Sequence, residues 1–347
     1  MNRKLSVEEV QTANWENRTL FHGDNLNFMR GMNSETIDLI ATDPPFNKNK
    51  DFHATPNSLA AGASFQDRWS WQDDVHQEWV DQIEDDHPAL MHAIESARHA
   101  HSDGMGAYLC FMGVRLLEMH RLLKPTGSIY LHCDPTASHY LKTIMDAIFD
   151  GKNFRNEIVW HYAKGHGSPT RFRRKHDVIL FYSRGGIFNI QKYKHLESQV
   201  HRFNRVDEDG RKYRINHTRD SSGKYKRFYL DDGVAADDVW SFLREPTYDQ
   251  LPHNTKEKVG YPTQKPLALY ERIIKASSNE GDIVLDPFCG CATTCVAAER
   301  LNRQWVGIDI WKESHALVVK RVESEVGLLA NVHYAKKGPI RTDEGGP

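Results

Sequence analysis

Five short apolar runs in this chain each break at an acidic residue. Thr19-Leu20-Phe21-His22 stops at Gly23-Asp24-Asn25, and Thr36–Thr42 stops at Asp43-Pro44-Pro45-Phe46. Ser128–Cys133 stops at Asp134, Asp282–Leu285 at Asp286-Pro287, and Gln304–Ile310 carries Asp309 near its end. Short β-branched runs cut by turn residues read as strands buried on both faces. Pro44 and Pro45 cannot continue a central strand and mark an exit. Glu157–Tyr162 and Asp177–Tyr182 are two further strand candidates. Between the runs lie stretches with helical spacing: Tyr108–Leu123, which Lys124-Pro125-Thr126-Gly127 ends, His139–Ile148, Pro266–Ser277 and Cys295–Leu301. Strands alternating with helices require an α/β layer with a mostly parallel sheet. Such sheets bind ligands beyond the carboxyl ends of their strands, so the five acidic turns are expected to converge on one rim.

The length, 347 residues, suits two domains or one large domain with an insertion. No apolar run approaches the roughly 18 residues that cross a membrane, and the opening MNRKLSVEEVQ lacks the apolar centre of a secretory signal. Five cysteines, an odd number with three crowded at 289, 291 and 295, do not suggest a disulfide scaffold and point to a reducing cytoplasm. Residues 48–75 are polar and aperiodic and read as one long functional loop, and residues 338–347 read as a disordered tail.

The net charge of −2 hides an asymmetry. Residues 163–228 hold seventeen Lys and Arg against six Asp and Glu, an excess of eleven that leaves the rest of the chain at −13. Phe172, Tyr193, Phe203, Tyr213, Tyr225 and Phe228 are interleaved with these cations. Bases alternating with rings suit a phosphate backbone and unstacked bases. The candidate contacts are Arg171, Arg173, Arg174, Lys192, Lys194, Arg202, Arg205, Arg211, Lys212, Arg214, Lys224, Lys226 and Arg227.

The strand, turn and helix around Asp286, followed 23 residues later by Asp309, outline a nucleoside-binding unit in which Asp309 takes two ribose hydroxyls. The turn is not G-x-G-x-x-G, so a dinucleotide fits less well than a nucleoside with a charged amino-acid tail. Helix amides near Thr293 and Thr294 are expected to receive that tail's carboxylate. The Cys-x-Cys-x₃-Cys spacing is atypical for zinc and no metal is implied. At Asp43-Pro44-Pro45-Phe46 a carboxylate and the Pro44 carbonyl offer two acceptors for an exocyclic amine, and the Phe46 ring offers a stacking surface. An aryl amine is a weak nucleophile because its lone pair is delocalised. Two acceptors aimed at its hydrogens favour a tetrahedral nitrogen and free that pair, which is catalysis by positioning and electrostatics.

Asp43-Pro-Pro-Phe46 resembles the catalytic motif of amino-methylating DNA methyltransferases, and Asp286-Pro-Phe-Cys-Gly-Cys-Ala-Thr-Thr294 resembles their S-adenosylmethionine motif. Tyr261-Pro-Thr-Gln-Lys-Pro266, Gly23-Asp-Asn25 and Ser128–Asp134 resemble further family segments, and the order matches the permuted β group. The resemblance implies a seven-stranded, Rossmann-like methyltransferase sheet, mostly parallel with one antiparallel strand and an inserted basic target-recognition region. It divides the chain into a catalytic half at 17–184, target recognition at 185–260 and a cofactor half at 261–333. It implies Asp43, Pro44, Pro45 and Phe46 as catalytic. It assigns the cofactor to Asp24, Asn25, Asp43, Gln264, Lys265, Asp286, Phe288, Cys289, Gly290, Thr293, Thr294 and Asp309. The implied activity is methylation of adenine N6 in a base flipped from double-stranded DNA, because Asp rather than Ser stands at 43; cytosine N4 is the alternative, and a non-catalytic DNA-binding relative a third. A stand-alone enzyme is expected, with a homodimer and a cognate restriction endonuclease as its conceivable partners. Three departures stand out: Ala292 occupies the turn's second glycine position, Cys291 replaces Ser, and Phe46 replaces the commoner Tyr.

Overall fold

The computed structural model describes residues 12–162, 167–195, 197–219, 221–241, 257–312, 314–327 and 331–343. The opening segment, Lys164, the stretch 242–256 of the target-recognition region and 344–347 of the tail lie outside the described residues.

One sheet organises the chain. Its strands are β1 (Thr19–His22), β2 (Ile37–Thr42), β3 (Leu123–Cys133), β4 (Phe154–His161), β5 (His176–Ser183), β6 (Val239–Ser241), β7 (Ile283–Asp286), β8 (Gln304–Asp309) and β9 (His333–Ala335). They lie in the order β6-β4-β5-β3-β2-β7-β8-β1-β9. β5 runs antiparallel to both neighbours, and the other pairings are parallel. The expected seven strands and the one antiparallel strand are therefore present. The count is nine because β6 and β9, three residues each, extend the two edges. An open edge offers unpaired N–H and C=O groups that any short extended segment can satisfy, with no apolar pattern needed.

The central strands read as continuous apolar runs because both faces are covered. Ile40, Ile129 and Leu131 face one core with Leu109, Met112 and Leu116, whereas Leu39, Ala41 and Tyr130 face the other with Leu269, Ile273 and Val296. The first face is covered by α1 (Asn25–Gly31), α2 (Gln77–Asp86), α3 (Pro88–Ala100), α4 (Asp103–Leu122) and α5 (Ser138–Phe149). The second is covered by α6 (Leu267–Ser277), α7 (Thr293–Arg300) and α8 (Ser314–Val326). Helices α2 and α3 were not foreseen, although Trp79, Ile83, Leu90, Met91, Ile94 and Ala97 carry their buried stripe.

Two expectations are corrected. Residues 48–75 are not one loop: Phe52–His53 pairs with Ser64–Phe65, and Trp71–Asp74 makes one helical turn. The segment is tied down where Thr55 N–H donates to Gly260 O at 3.0 Å and Ala60 N–H to Val259 O at 3.0 Å. The tail is ordered through Asp343. Ser34 N–H donates to Asp343 Oδ2 at 2.7 Å and Thr342 N–H to Asn33 Oδ1 at 2.9 Å. The polar composition that suggested disorder serves instead to cap the turn after α1. Gly31 makes this possible, since a Cβ there would lie 2.1 Å from the Pro339 carbonyl.

The basic insertion forms a hairpin of Lys212–Arg219 with Tyr225–Tyr229, extended by Arg205–Val206. Most of its residues are exposed on both faces, so no apolar alternation announces it. Among the described residues no helix is long and apolar enough to cross a membrane, and no group of His, Cys, Asp and Glu is arranged to hold a metal ion. All five cysteines are free and buried.

Candidate active site

Asp43 leaves the end of β2 into a turn clamped from below. Asp67 is buried and accepts from Asn47 N–H at 2.6 Å and Lys48 N–H at 3.0 Å. This accommodates Asn47 in the left-handed region at φ 59°. Burial raises the Asp67 carboxyl above its ordinary value despite those two bonds. Tyr108 Oη donates to Pro45 O at 2.7 Å, fixing the second proline. Asp43 Oδ2 accepts from Lys265 Nζ at 2.6 Å, whereas Oδ1 is shut from solvent and has no hydrogen-bond partner among the described residues. Phe46 is 6% exposed, with Lys48 Nζ at 4.8 Å and Lys265 Nζ at 5.0 Å from its ring centre. Lys265, expected at the cofactor, thus engages the Asp43 carboxylate. Gln264 is spent on its own loop, donating to Glu257 O at 2.7 Å and accepting from Val259 N–H at 3.0 Å.

The second turn follows β7. Asp286 Oδ1 accepts from Thr42 Oγ1 at 2.7 Å and from Phe288 N–H at 3.2 Å, joining the ends of β7 and β2. Burial pushes its carboxyl up to about 7, those hydrogen bonds offsetting only part of the cost. Gly290 takes φ 51°, and a Cβ there would lie 2.8 Å from the Tyr261 ring. Ala292 takes φ 58°, so this departure falls on a left-handed backbone that glycine adopts freely and alanine adopts at about 1 kcal/mol. The strained turn is held by Arg321 of α8, which donates to the Cys291 carbonyl and, at 3.3 Å, to Thr293 Oγ1. Asp309, at the end of β8, accepts from Gly290 N–H and Trp311 N–H, each at 2.7 Å. Burial pushes it up to about 6.

Asp24 and Asn25 close the third side through a residue that sequence reading missed. Arg115 donates to both Asp24 oxygens at 2.9 Å and to Asn25 Oδ1 at 2.7 Å. Asn25 Nδ2 passes the constraint on to Pro287 O at 2.7 Å, so Asn25 positions the second turn. The Arg115 guanidinium lies 3.5 Å from the Phe111 ring centre, and burial lowers its pKa to about 10.

These segments enclose one cavity of about 540 Å³, bordered by Asp24, Asp43, Phe46, Phe288, Gly290 and Asp309. Asn25, Lys265, Asp286, Cys289, Thr293 and Thr294 also reach it, as do Phe52, Phe65 and Asp67 from the 48–75 segment. The sheet rim therefore brings the two sequence-identified motifs together, with the carboxylate and stacking ring beside the glycine turn.

The profile of the N6/N4 DNA methylase family matches residues 37–320. The chain belongs to this DNA methylase family. The methylase is 30% identical to the type II methyltransferase M.HpaI of Haemophilus parainfluenzae over 298 residues, 86% of this chain and 71% of that protein. It is 24% identical to the DNA adenine methyltransferase YhdJ of Escherichia coli, covering 89% of this chain and 83% of that one. Among solved structures, a DNA modification methylase of Thermus thermophilus is 18% identical, with 92% of this chain and 100% of that one covered and a TM-score of 0.49.

DNA is the substrate of the methylase and S-adenosylmethionine its methyl donor. The cavity fits that donor, because a Cβ at Gly290 would fill the cradle beneath Tyr261 and Asp309 presents a carboxylate on the same wall. Of the basic candidates, Arg171, Arg173, Arg174, Lys192, Lys194, Arg202, Arg205, Lys212, Lys224, Lys226 and Arg227 are exposed, while Arg211 and Arg214 are half-buried. Arg211 is spent within the protein, donating to Asp231 at 2.8 Å and to Asp232 at 2.7 Å.

Proposed function

We propose that the methylase acts on adenine N6 of a base flipped out of double-stranded DNA. The observation that carries the reading is Asp43 Oδ1, a buried acceptor with no donor beside Phe46 in the cofactor cavity. A buried, unpaired acceptor costs about 1–3 kcal/mol, which an incoming amine relieves. The amine donates to Asp43 Oδ1 and to the Pro44 carbonyl, Pro45 O being taken by Tyr108. Phe46 stacks on the base, whose departure from the duplex costs a few kcal/mol. S-adenosylmethionine supplies the electrophilic methyl group. Asp309 holds the ribose, the Asp286–Thr294 turn gives the cofactor close backbone approach, and the first amides of α7 receive its carboxylate. The basic hairpin and the rest of 185–260 grip the target strand and read its sequence.

Adenine is preferred over cytosine because Asp, not Ser, stands at 43, and the likeness to YhdJ supports the same choice. The likeness to M.HpaI supports a setting beside a restriction endonuclease. The test is to incubate the purified chain with unmethylated DNA and S-adenosylmethionine, digest to nucleosides and analyse them by mass spectrometry. N6-methyldeoxyadenosine is expected. N4-methyldeoxycytidine would overturn the base assignment and keep the chemistry.

A further inference from the structure

We propose that His132 and Asp177 form the exit path for the proton that the target amine releases, taking it from Asp43. His132 is the penultimate residue of β3 and is 2% exposed. Its Nε2 lies 3.2 Å from Asp177 Oδ2, and Tyr162 Oη donates to Asp177 Oδ1 at 3.2 Å. Asp177 reaches this rim because β5 is antiparallel, so its amino end lies beside the carboxyl end of β3, with Cys133 paired to Val178.

Burial raises Asp177, but the bond to His132 and nearby cations outweigh it and hold the carboxyl at about 2. In the neutral imidazole that donates Nε2–H to Asp177, Nδ1 and its lone pair are turned toward Asp43. Nδ1 is shut from solvent and has no hydrogen-bond partner among the described residues. It lies 3.8 Å from Asp43 Oδ1, which has none either. Two buried acceptors 3.8 Å apart lack the proton that would draw them into a hydrogen bond, and the reaction supplies that proton. The imidazole is fixed for the transfer by the Phe46 ring at 5.4 Å and the Trp160 ring at 5.5 Å.

The electrons balance without a further reagent. The amine nitrogen forms its bond to the methyl carbon as the methyl's bond to its donor breaks, that pair staying on the donor. The nitrogen is then cationic, and its N–H bond breaks with the pair returning to nitrogen. The proton goes to Asp43 Oδ1 and on to His132 Nδ1, where Asp177 offsets the imidazolium charge. The other charged groups here are Lys265, paired with Asp43, and Lys48, which lies 3.8 Å from Asp134. The Tyr162 phenol and the Cys133 thiol are pushed up by burial and stay neutral.

The inference rests on Asp43 as the amine's acceptor and holds for adenine or cytosine alike. The test is the pH profile of single-turnover methylation at saturating DNA and S-adenosylmethionine, with nucleoside analysis of the product. The wild-type rate is expected to fall on the acid side, where the imidazole is already protonated. His132→Gln should be about 100-fold slower, with that limb lost. Asp177→Asn, which keeps shape and hydrogen bonding, should move the limb to lower pH with DNA affinity unchanged. Slowing of both variants by one constant factor at every pH would overturn the relay, as would a wild-type profile without an acid limb. An Asp43→Asn variant of undiminished rate would sink the reading of Asp43 itself, and the relay with it.

Discussion

Lys265 Nζ lies 2.6 Å from Asp43 Oδ2, so the carboxylate proposed to receive the target amine has one oxygen already engaged. The partners are 222 residues apart in sequence, and their ion pair ties the catalytic turn to the segment that leads into α6. On the proposed reading Oδ1 is the oxygen left to meet the amine, and the base approaches from its side.

Lys265→Gln should therefore slow methyl transfer by at least tenfold, because the freed carboxylate can rotate away from the amine, while DNA affinity changes little. A charged hydrogen bond contributes about 1.5–3 kcal/mol, so a lower melting temperature should accompany the loss. Single-turnover rates and a binding titration check the two halves separately.

Arg115→Met should weaken S-adenosylmethionine binding, because Arg115 borders the cavity and holds two of its other walls. Asp24 and Asn25 lose their shared donor, and the bond from Asn25 to the Pro287 carbonyl loosens with them. Removing one partner of a buried ion pair costs about 3–5 kcal/mol, and because Asp24 is partly exposed the lower end is expected. Calorimetry and denaturant unfolding read the two effects.

The backbone at Ala292 separates two substitutions. Ala292→Gly removes about 1 kcal/mol of left-handed strain and loses a similar amount of buried methyl, so stability should change by less than about 1 kcal/mol. Ala292→Val places a branched side chain at φ 58° in a site with no exposure and should abolish cofactor binding. Thermal melts with and without S-adenosylmethionine give the answer.

Two carboxyls set the pH behaviour. Asp286 is held at about 7 and Asp309 at about 6, both above the ordinary 3.8 because of burial. Between 3.8 and those values the folded chain keeps protons that the unfolded chain has released. Stability should thus fall as pH rises through this window. Asp286→Asn should match wild type near pH 4 and exceed it near pH 8, by a few kcal/mol at most. Cofactor affinity should run the other way, weakening as pH drops through about 6, since a protonated Asp309 accepts ribose hydroxyls poorly. Asp309→Asn should flatten that dependence.

On the hairpin, charge alone does not predict a phosphate contact. Arg211→Ala should leave the salt dependence of DNA binding nearly unchanged, since Asp231 and Asp232 already neutralise it. Lys212→Ala and Lys226→Ala, both at exposed positions, should each lower the slope of log K against log salt by about 0.9.

The sheet and its rim were legible because strand exits carry prolines, glycines and acids whose reasons are local. Asp43, Phe46, Asp286 and Asp309 could be picked out for that reason. Asp67, Arg115, Arg321 and Asp177 gave no such signal, because each owes its place to packing between segments far apart in sequence, whereas His132 stood out by its place at a strand end. Arg115 did leave a trace: a cation four residues from both Phe111 and Met119, on the apolar stripe of a helix, is out of place unless something buried needs it. The hairpin could not be read from alternation, since most of its residues on both faces meet solvent.

β1 lies between β8 and β9, and Gly23 N–H donates to the Asp309 carbonyl. β1 thus has no neighbour on either side until residues 304–309 and 333–335 are in place. The glycine turn likewise needs Arg321 to take the Cys291 carbonyl. A chain cut before Arg321 keeps the residues of the Asp43 turn but lacks the donor that holds the glycine turn.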